Sequence, residues 1–188
     1  VMTLLDEVLA FNQEFVEKKA YEPYLTSKFP DKRMVIFTCM DTRIIELLHK
    51  AMNIQNGDAK IVKNAGAILT SPFDSTMRSL LVAIYQLKAD EVFVIGHYDC
   101  GMTGLKGETV LENMKKRGVD ENAIETLVHA GIDLDEWLSG FDKVESSVKK
   151  SVGIIKNHPL MDKKVPVHGL VIDPETGKLD LIVNGYEN

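Results

Sequence analysis

Cys39, His97 and Cys100 are the residues of this chain best suited to hold a metal ion. Cys39 follows an apolar, partly β-branched run at residues 33–38, and His97 and Cys100 follow a second such run at residues 91–96. Two thiolates and one imidazole supply three of the four donors of a tetrahedral zinc ion, and an open fourth position suggests a catalytic rather than a structural zinc. Spacing alone leaves other readings standing. A cysteine at the end of a buried strand serves equally as a small hydrophobe. Two cysteines brought together could also form a redox pair, although no Cys-x-x-Cys is present. Beside the first cysteine, Cys39-Met40-Asp41-Thr42-Arg43 sets a carboxylate two residues from a candidate ligand and an arginine two beyond that. Asp41 can accept a hydrogen bond from water on a metal, or coordinate the metal itself. Arg43 can restrain it through a bidentate, charge-assisted pair. The plain alternative is a surface ion pair worth about 0–1 kcal/mol.

For the three candidate ligands to meet, the ends of two strands must lie side by side. Residues 33–38, 59–63 and 91–96 read as strands, the first buried on both faces, and residues 42–52 and 74–87 read as helices between them, with Ile44, Ile45, Leu47 and Leu48 facing inward on the first and Met77, Leu80, Leu81 and Ile84 on one face of the second. Strands alternating with helices imply βαβ units, right-handed crossovers and a mainly parallel sheet, so the fold class is α/β. In a doubly wound sheet the first and third strands are neighbours where the strand order reverses, and ligands collect in that crevice. Residues 104–158 read as a more polar, mostly helical insertion. It includes an Asp133/Glu136 capping-box spacing and a long helix marked by Phe141, Val144, Val148, Val152 and Ile155. Residues 165–172 and 179–183 read as a closing hairpin that adds an antiparallel edge strand. The opening amphipathic helix, with Leu4, Leu5, Val8, Leu9 and Phe15 on its apolar face, ends before Pro23 and makes residues 1–24 an arm outside the βαβ core. The whole chain, residues 1–188, reads as one domain.

Composition removes several classes of function. The chain has 188 residues, a net charge of −6 and 45% hydrophobic residues, which speaks against a nucleic-acid-binding surface and against disorder. No apolar stretch approaches the length of a membrane span, and the first residues lack the pattern of a secretory leader. Two cysteines are too few for a disulfide scaffold, so a reducing, cytoplasmic setting is expected.

Three segments together resemble the β-class carbonic anhydrases. Cys39-Met40-Asp41-Thr42-Arg43 is similar to the family's Cys-x-Asp-Ser/Thr-Arg signature, and Gly96-His97-Tyr98-Asp99-Cys100-Gly101 to its Gly-His-x-x-Cys-Gly signature. Between them, Lys63-Asn64-Ala65-Gly66 resembles the Arg/Lys-Asn-Ala-Gly segment after the second strand, in the form found in the compact bacterial and archaeal branch. The resemblance implies a sheet in the order 2-1-3-4 plus an edge strand. It also implies one Zn²⁺ per subunit on Cys39, His97 and Cys100, with Asp41 and Arg43 as the catalytic dyad. The activity implied is reversible hydration of CO₂ to bicarbonate by zinc-bound hydroxide, favoured at alkaline pH because two thiolates offset the charge of the ion. Asp41 could orient that hydroxide or close the site by ligating zinc. The family's closed forms use a Trp with extra Arg and Tyr residues, whereas the one tryptophan here, Trp137, falls in the insertion, which favours the open form.

Lys63, Ala65 and Gly66 are candidate substrate-binding residues, through a cation and through backbone N–H groups, with a solvated lysine and a tight turn as the alternatives. His49, His129, His158 and His168 read as structural, leaving Tyr98 and Asp99 as weak candidates for moving the proton. A homodimer or higher even oligomer is implied, since the first helix commonly packs on the neighbouring subunit in such proteins. Relatives that hydrolyse CS₂ or COS on the same metal site supply an alternative activity, and a non-catalytic zinc-stabilised module is a further one.

Overall fold

Unbroken apolar sequence builds the centre of the sheet. β1 (Met34–Cys39) is buried along its whole length, and β3 (Glu91–His97) is buried from Val94 onward, as expected of strands covered on both faces. The computed structural model describes residues 1–187, so Asn188, the last residue of the expected domain, lies outside the described residues. β2 (Ala59–Asn64), β4 (Val167–Ile172) and β5 (Leu179–Val183) complete a five-stranded sheet in the order β2-β1-β3-β4-β5. The first four strands are parallel, and β5 returns antiparallel to β4. The expected order and edge strand are both observed.

Side-chain alternation along the strands divides the core. Val35, Phe37, Val92 and Val94 pack on one face against α3 (Ser75–Tyr85) and α7 (Val144–Lys156), through Met77, Leu80, Val148 and Val152. Met34, Ile36 and Ile95 pack on the other against Ile44 and against Leu48 of α2 (Leu47–Ala51). Helices thus cover both faces. β1 lies between β2 and β3, the position where the strand order reverses, and both strands that carry candidate ligands end there.

Several boundaries differ from expectation for local reasons. β1 starts at Met34 because Arg33 adopts a left-handed φ of +50° and turns its guanidinium to Asp90. It runs on to Cys39, so that cysteine ends the strand instead of following it. The single helix expected over residues 42–52 is a 3-10 turn, Thr42–Ile44, followed by the short α2, and Ile45 is 51% exposed instead of facing inward. The Asp41 side chain accepts the Arg43 backbone N–H at 2.8 Å, which bends the chain at that point. β4 starts at Val167, since Pro166 has no N–H to give to a ladder. Phe141 bridges to Thr103 ahead of α7 instead of joining it.

The segment 104–158 has two parts. α4 (Gly107–Lys116), α5 (Glu121–His129) and α6 (Leu134–Leu138) project from the sheet, whereas α7 belongs to the core layer. Asp133 caps α6 by accepting the Glu136 N–H at 2.9 Å. At the other end of the chain, α1 (Leu4–Glu17) is opened by a Thr3/Asp6 capping box and buries none of its residues within the protomer. Among the described residues, no helix is long and apolar enough to cross a membrane.

Candidate metal centre

Strand pairing brings the three sequence-predicted ligands together. Cys39 ends β1 and His97 ends β3, its neighbour, while Cys100 lies one turn further on. Their donor atoms lie within 4.8 Å of one another and all three residues are buried. The two sulfurs are 4.0 Å apart, close to the edge of about 3.8 Å that two 2.3 Å bonds at a tetrahedral angle would span. His97 Nδ1 is 2.8 Å from the Tyr98 carbonyl, a contact that requires the Nδ1–H tautomer and leaves the Nε2 lone pair free. Nε2 is buried without a hydrogen-bond partner. An unsatisfied buried acceptor beside two thiols is costly unless something occupies the space between them. The donor set therefore fits a zinc ion, with sulfur and nitrogen ligands and no oxygen required.

The surroundings favour thiolate. Cys39 accepts the Gly66 N–H at 3.3 Å. Hydrogen bonding from the Cys100 thiol, with Gly66 in support, holds Cys39 well below the ordinary thiol range, and the same pairing with burial pushes Cys100 up. The pair thus retains one proton that a metal would displace. Gly66 is required on two counts. Its φ is +82°, and a Cβ there would stand 2.9 Å from both Ile68 Cδ1 and Met102 Cγ.

Asp41 and Arg43 stand at the mouth. Arg43 donates Nε to Asp41 Oδ1 and Nη2 to Oδ2, each at 3.0 Å, giving the expected bidentate pair. The guanidinium holds the Asp41 carboxyl down at about 2. Asp41 Oδ2 lies 3.7 Å from His97 Nε2, so the carboxylate borders the donor cluster without bonding to the histidine.

Lys63 does not join this group. It is exposed on edge strand β2, where its charge acts on His49. Gly66 contributes its N–H to Cys39 rather than to the open space, and Ala65 lies between Gly66 and the end of β2. His158 and His168 are buried with both ring nitrogens engaged, as structural histidines should be. Tyr98 donates its hydroxyl to Asp180 at 2.7 Å, which raises its pKa to about 12. Sequence reasoning missed that link to β5. It also missed a contact from Arg43 to Asp99, for which the signal was an aspartate at a position needing left-handed backbone.

Three comparisons bear on this geometry. Residues 34–179 match the family model described as carbonic anhydrase. YtiB of Bacillus subtilis is 60% identical over 187 residues, covering 100% of both chains, and the carbon disulfide hydrolase of Saccharolobus solfataricus is 32% identical over 161 residues, covering 79% of this chain and 76% of its own. The crystal structure of β-carbonic anhydrase isoform I from Trichomonas vaginalis superposes with a TM-score of 0.88 at 36% identity, covering 98% of this chain and 100% of that one.

Proposed function

The chain belongs to the β-class carbonic anhydrase family, and from that premise we propose that it hydrates CO₂ reversibly to bicarbonate and a proton, with Cys39, His97 and Cys100 holding one zinc ion and Asp41 and Arg43 serving as the catalytic pair. The observation that carries this reading is the orphaned His97 Nε2 facing two close sulfurs beside a restrained carboxylate. Zinc held by Cys39, His97 and Cys100 would supply Lewis acidity for ionising water, moderated by two anionic sulfur donors, which would favour activity at alkaline pH. Arg43 holds the Asp41 carboxyl well below the usual carboxylate range, so at neutral pH and above it is ionised and can only accept hydrogen bonds. It therefore turns the attacking oxygen so that a lone pair, not a hydrogen, faces the carbon of CO₂. Arg43 fixes that orientation through its bidentate contact, which also supports an open rather than an Asp41-ligated resting site. Gly66 steadies the negative charge on Cys39.

Of the candidate contacts for bicarbonate, Ala65 and Gly66 lie on the turn after β2 that meets Cys39, whereas Lys63 stands exposed on β2 with its charge acting on His49. We further propose a homodimer or higher even oligomer. Leu4, Leu5, Val8, Leu9 and Phe11 of α1 are each more than half exposed in the protomer, an apolar face that a second copy would cover. A cytoplasmic setting keeps both thiols available to zinc.

The decisive experiment measures zinc content together with CO₂ hydration by stopped flow at about pH 8.5, beside turnover of CS₂ and COS. Stoichiometric zinc with CO₂ turnover is expected. Zinc-loaded protein that turns over CS₂ but not CO₂ would assign it to the hydrolase chemistry of the relative described above. Loaded protein with no turnover of any of the three would identify a non-catalytic zinc module.

A further inference from the structure

Asp99 lies between two of the three metal-site residues and has a left-handed backbone, with φ at +53°. That conformation turns its carbonyl towards Arg43, whose Nη2 donates to it at 2.7 Å, while Arg43 Nη1 donates to Asp99 Oδ2 at 2.9 Å. The other side of the same guanidinium holds Asp41. One planar group thus bridges the loop after β1 and the loop after β3, with two bonds to each.

We propose that Asp99 is a positioning residue for the reaction, anchoring Arg43 from the ligand-bearing loop so that Asp41 stays oriented and clear of the metal position. The proposal rests on the reading of the site given above. Its physical basis is the freedom that the Asp41–Arg43 pair would otherwise have. Arg43 is 41% exposed on a flexible stem, and a bidentate pair on such a stem can swing as a unit. Asp41 Oδ2 is already 3.7 Å from His97 Nε2, so a small swing would carry the carboxylate among the ligand atoms. Two anchors on the opposite loop remove that swing. The Asp99 side chain is 87% exposed, and Arg43 is its one hydrogen-bond partner among the described residues. An exposed carboxylate has water available on every side, so its alignment on Arg43 together with its own carbonyl marks a two-point clamp.

The test compares Asp99→Gly, which accepts the left-handed backbone but lacks the carboxylate, with Asp99→Asn, which keeps an acceptor without the charge, each with and without Asp41→Asn. Metal content, the visible spectrum of the cobalt(II)-substituted protein and CO₂ hydration are measured for all of them. Metal stays stoichiometric, and kcat of Asp99→Gly falls about 10-fold at constant KM, with Asp99→Asn intermediate. The cobalt spectrum of Asp99→Gly changes as Asp41 enters the coordination sphere. In the double variant with Asp41→Asn that change disappears, and Asp99→Gly costs no further activity. An unchanged cobalt spectrum in Asp99→Gly overturns the proposal, as does an equal fall in kcat in the presence and absence of Asp41→Asn. Should Asp99→Gly not fold, the same two criteria apply to Asp99→Asn. Absence of CO₂ hydration in the parent protein would refute the functional reading alone, because the cobalt comparison still decides the clamp.

Discussion

His97 and His168 are both buried on adjacent strands of one sheet, yet they have opposite bonding states. His168, near the start of β4, has both nitrogens engaged: the Gly185 N–H donates to Nδ1 at 3.0 Å and Nε2 lies 2.9 Å from Glu91 Oε2. Tyr186 completes that cluster by donating to the same carboxylate oxygen at 2.6 Å, and Phe93 and Tyr186 pack on the ring. His97, at the far end of β3, has Nδ1 engaged and Nε2 without a partner. Burial is therefore common to a structural histidine and a candidate ligand, and the unsatisfied nitrogen tells them apart.

Substitutions at the two ends should separate these roles. The largest effect is expected from Cys100→Ser, which removes one of two sulfur donors: zinc should fall below about one tenth of stoichiometry by metal analysis. Retained stoichiometric zinc there would refute Cys100 as a ligand. Asp41→Ala should keep its zinc but lose about 10²-fold in hydration rate, since it disturbs orientation and not ligation. His168→Phe inverts the pattern: zinc and rate are unchanged, while urea unfolding shows a loss of about 1–3 kcal/mol from the stranded Gly185 N–H and Glu91 carboxylate. A drop in zinc content in that variant would break the contrast.

The smallest effect concerns His49, which like His97 has an unpartnered buried nitrogen but lies outside the cluster of Cys39, His97 and Cys100. Burial and then the Lys63 charge lower its pKa. The unfolded chain therefore takes up the proton first, and stability must fall as pH drops below about 6.5, the unfolded value. His49→Gln should flatten the stability profile between about pH 5 and 7. A slope identical to that of the parent would show that His49 does not contribute to it.

Much of this arrangement was legible in the sequence, and the gaps have physical causes. Continuous apolar runs and their alternation with helices pointed to a parallel sheet in which the first and third strands meet, joining Cys39 to His97, while the full strand order came from the family resemblance. The helix expected after Cys39 was misjudged because apolar spacing at Ile44, Ile45, Leu47 and Leu48 ignores the local pull of Asp41 on the Arg43 N–H. Hydrophobic periodicity records burial and is silent about side chains that rewrite the backbone beside a site. Likewise no pattern shows that Gly66 would give its N–H to a sulfur, because that contact depends on the left-handed turn bringing two loops together. The arm was legible as amphipathic, but a single chain cannot display what its apolar face covers.

The sulfur content of the site has a practical consequence. Cys39 and Cys100 are the only thiols in the sequence, and both sit in the ligand cluster. With the proposed zinc in place both sulfurs are engaged as ligands, so the gain in thiol titre when a chelator is added reads the bound fraction, with no other thiol in the sequence to contribute. The proposed occupancy is thus open to a colorimetric titration that needs neither a label nor an assay of turnover.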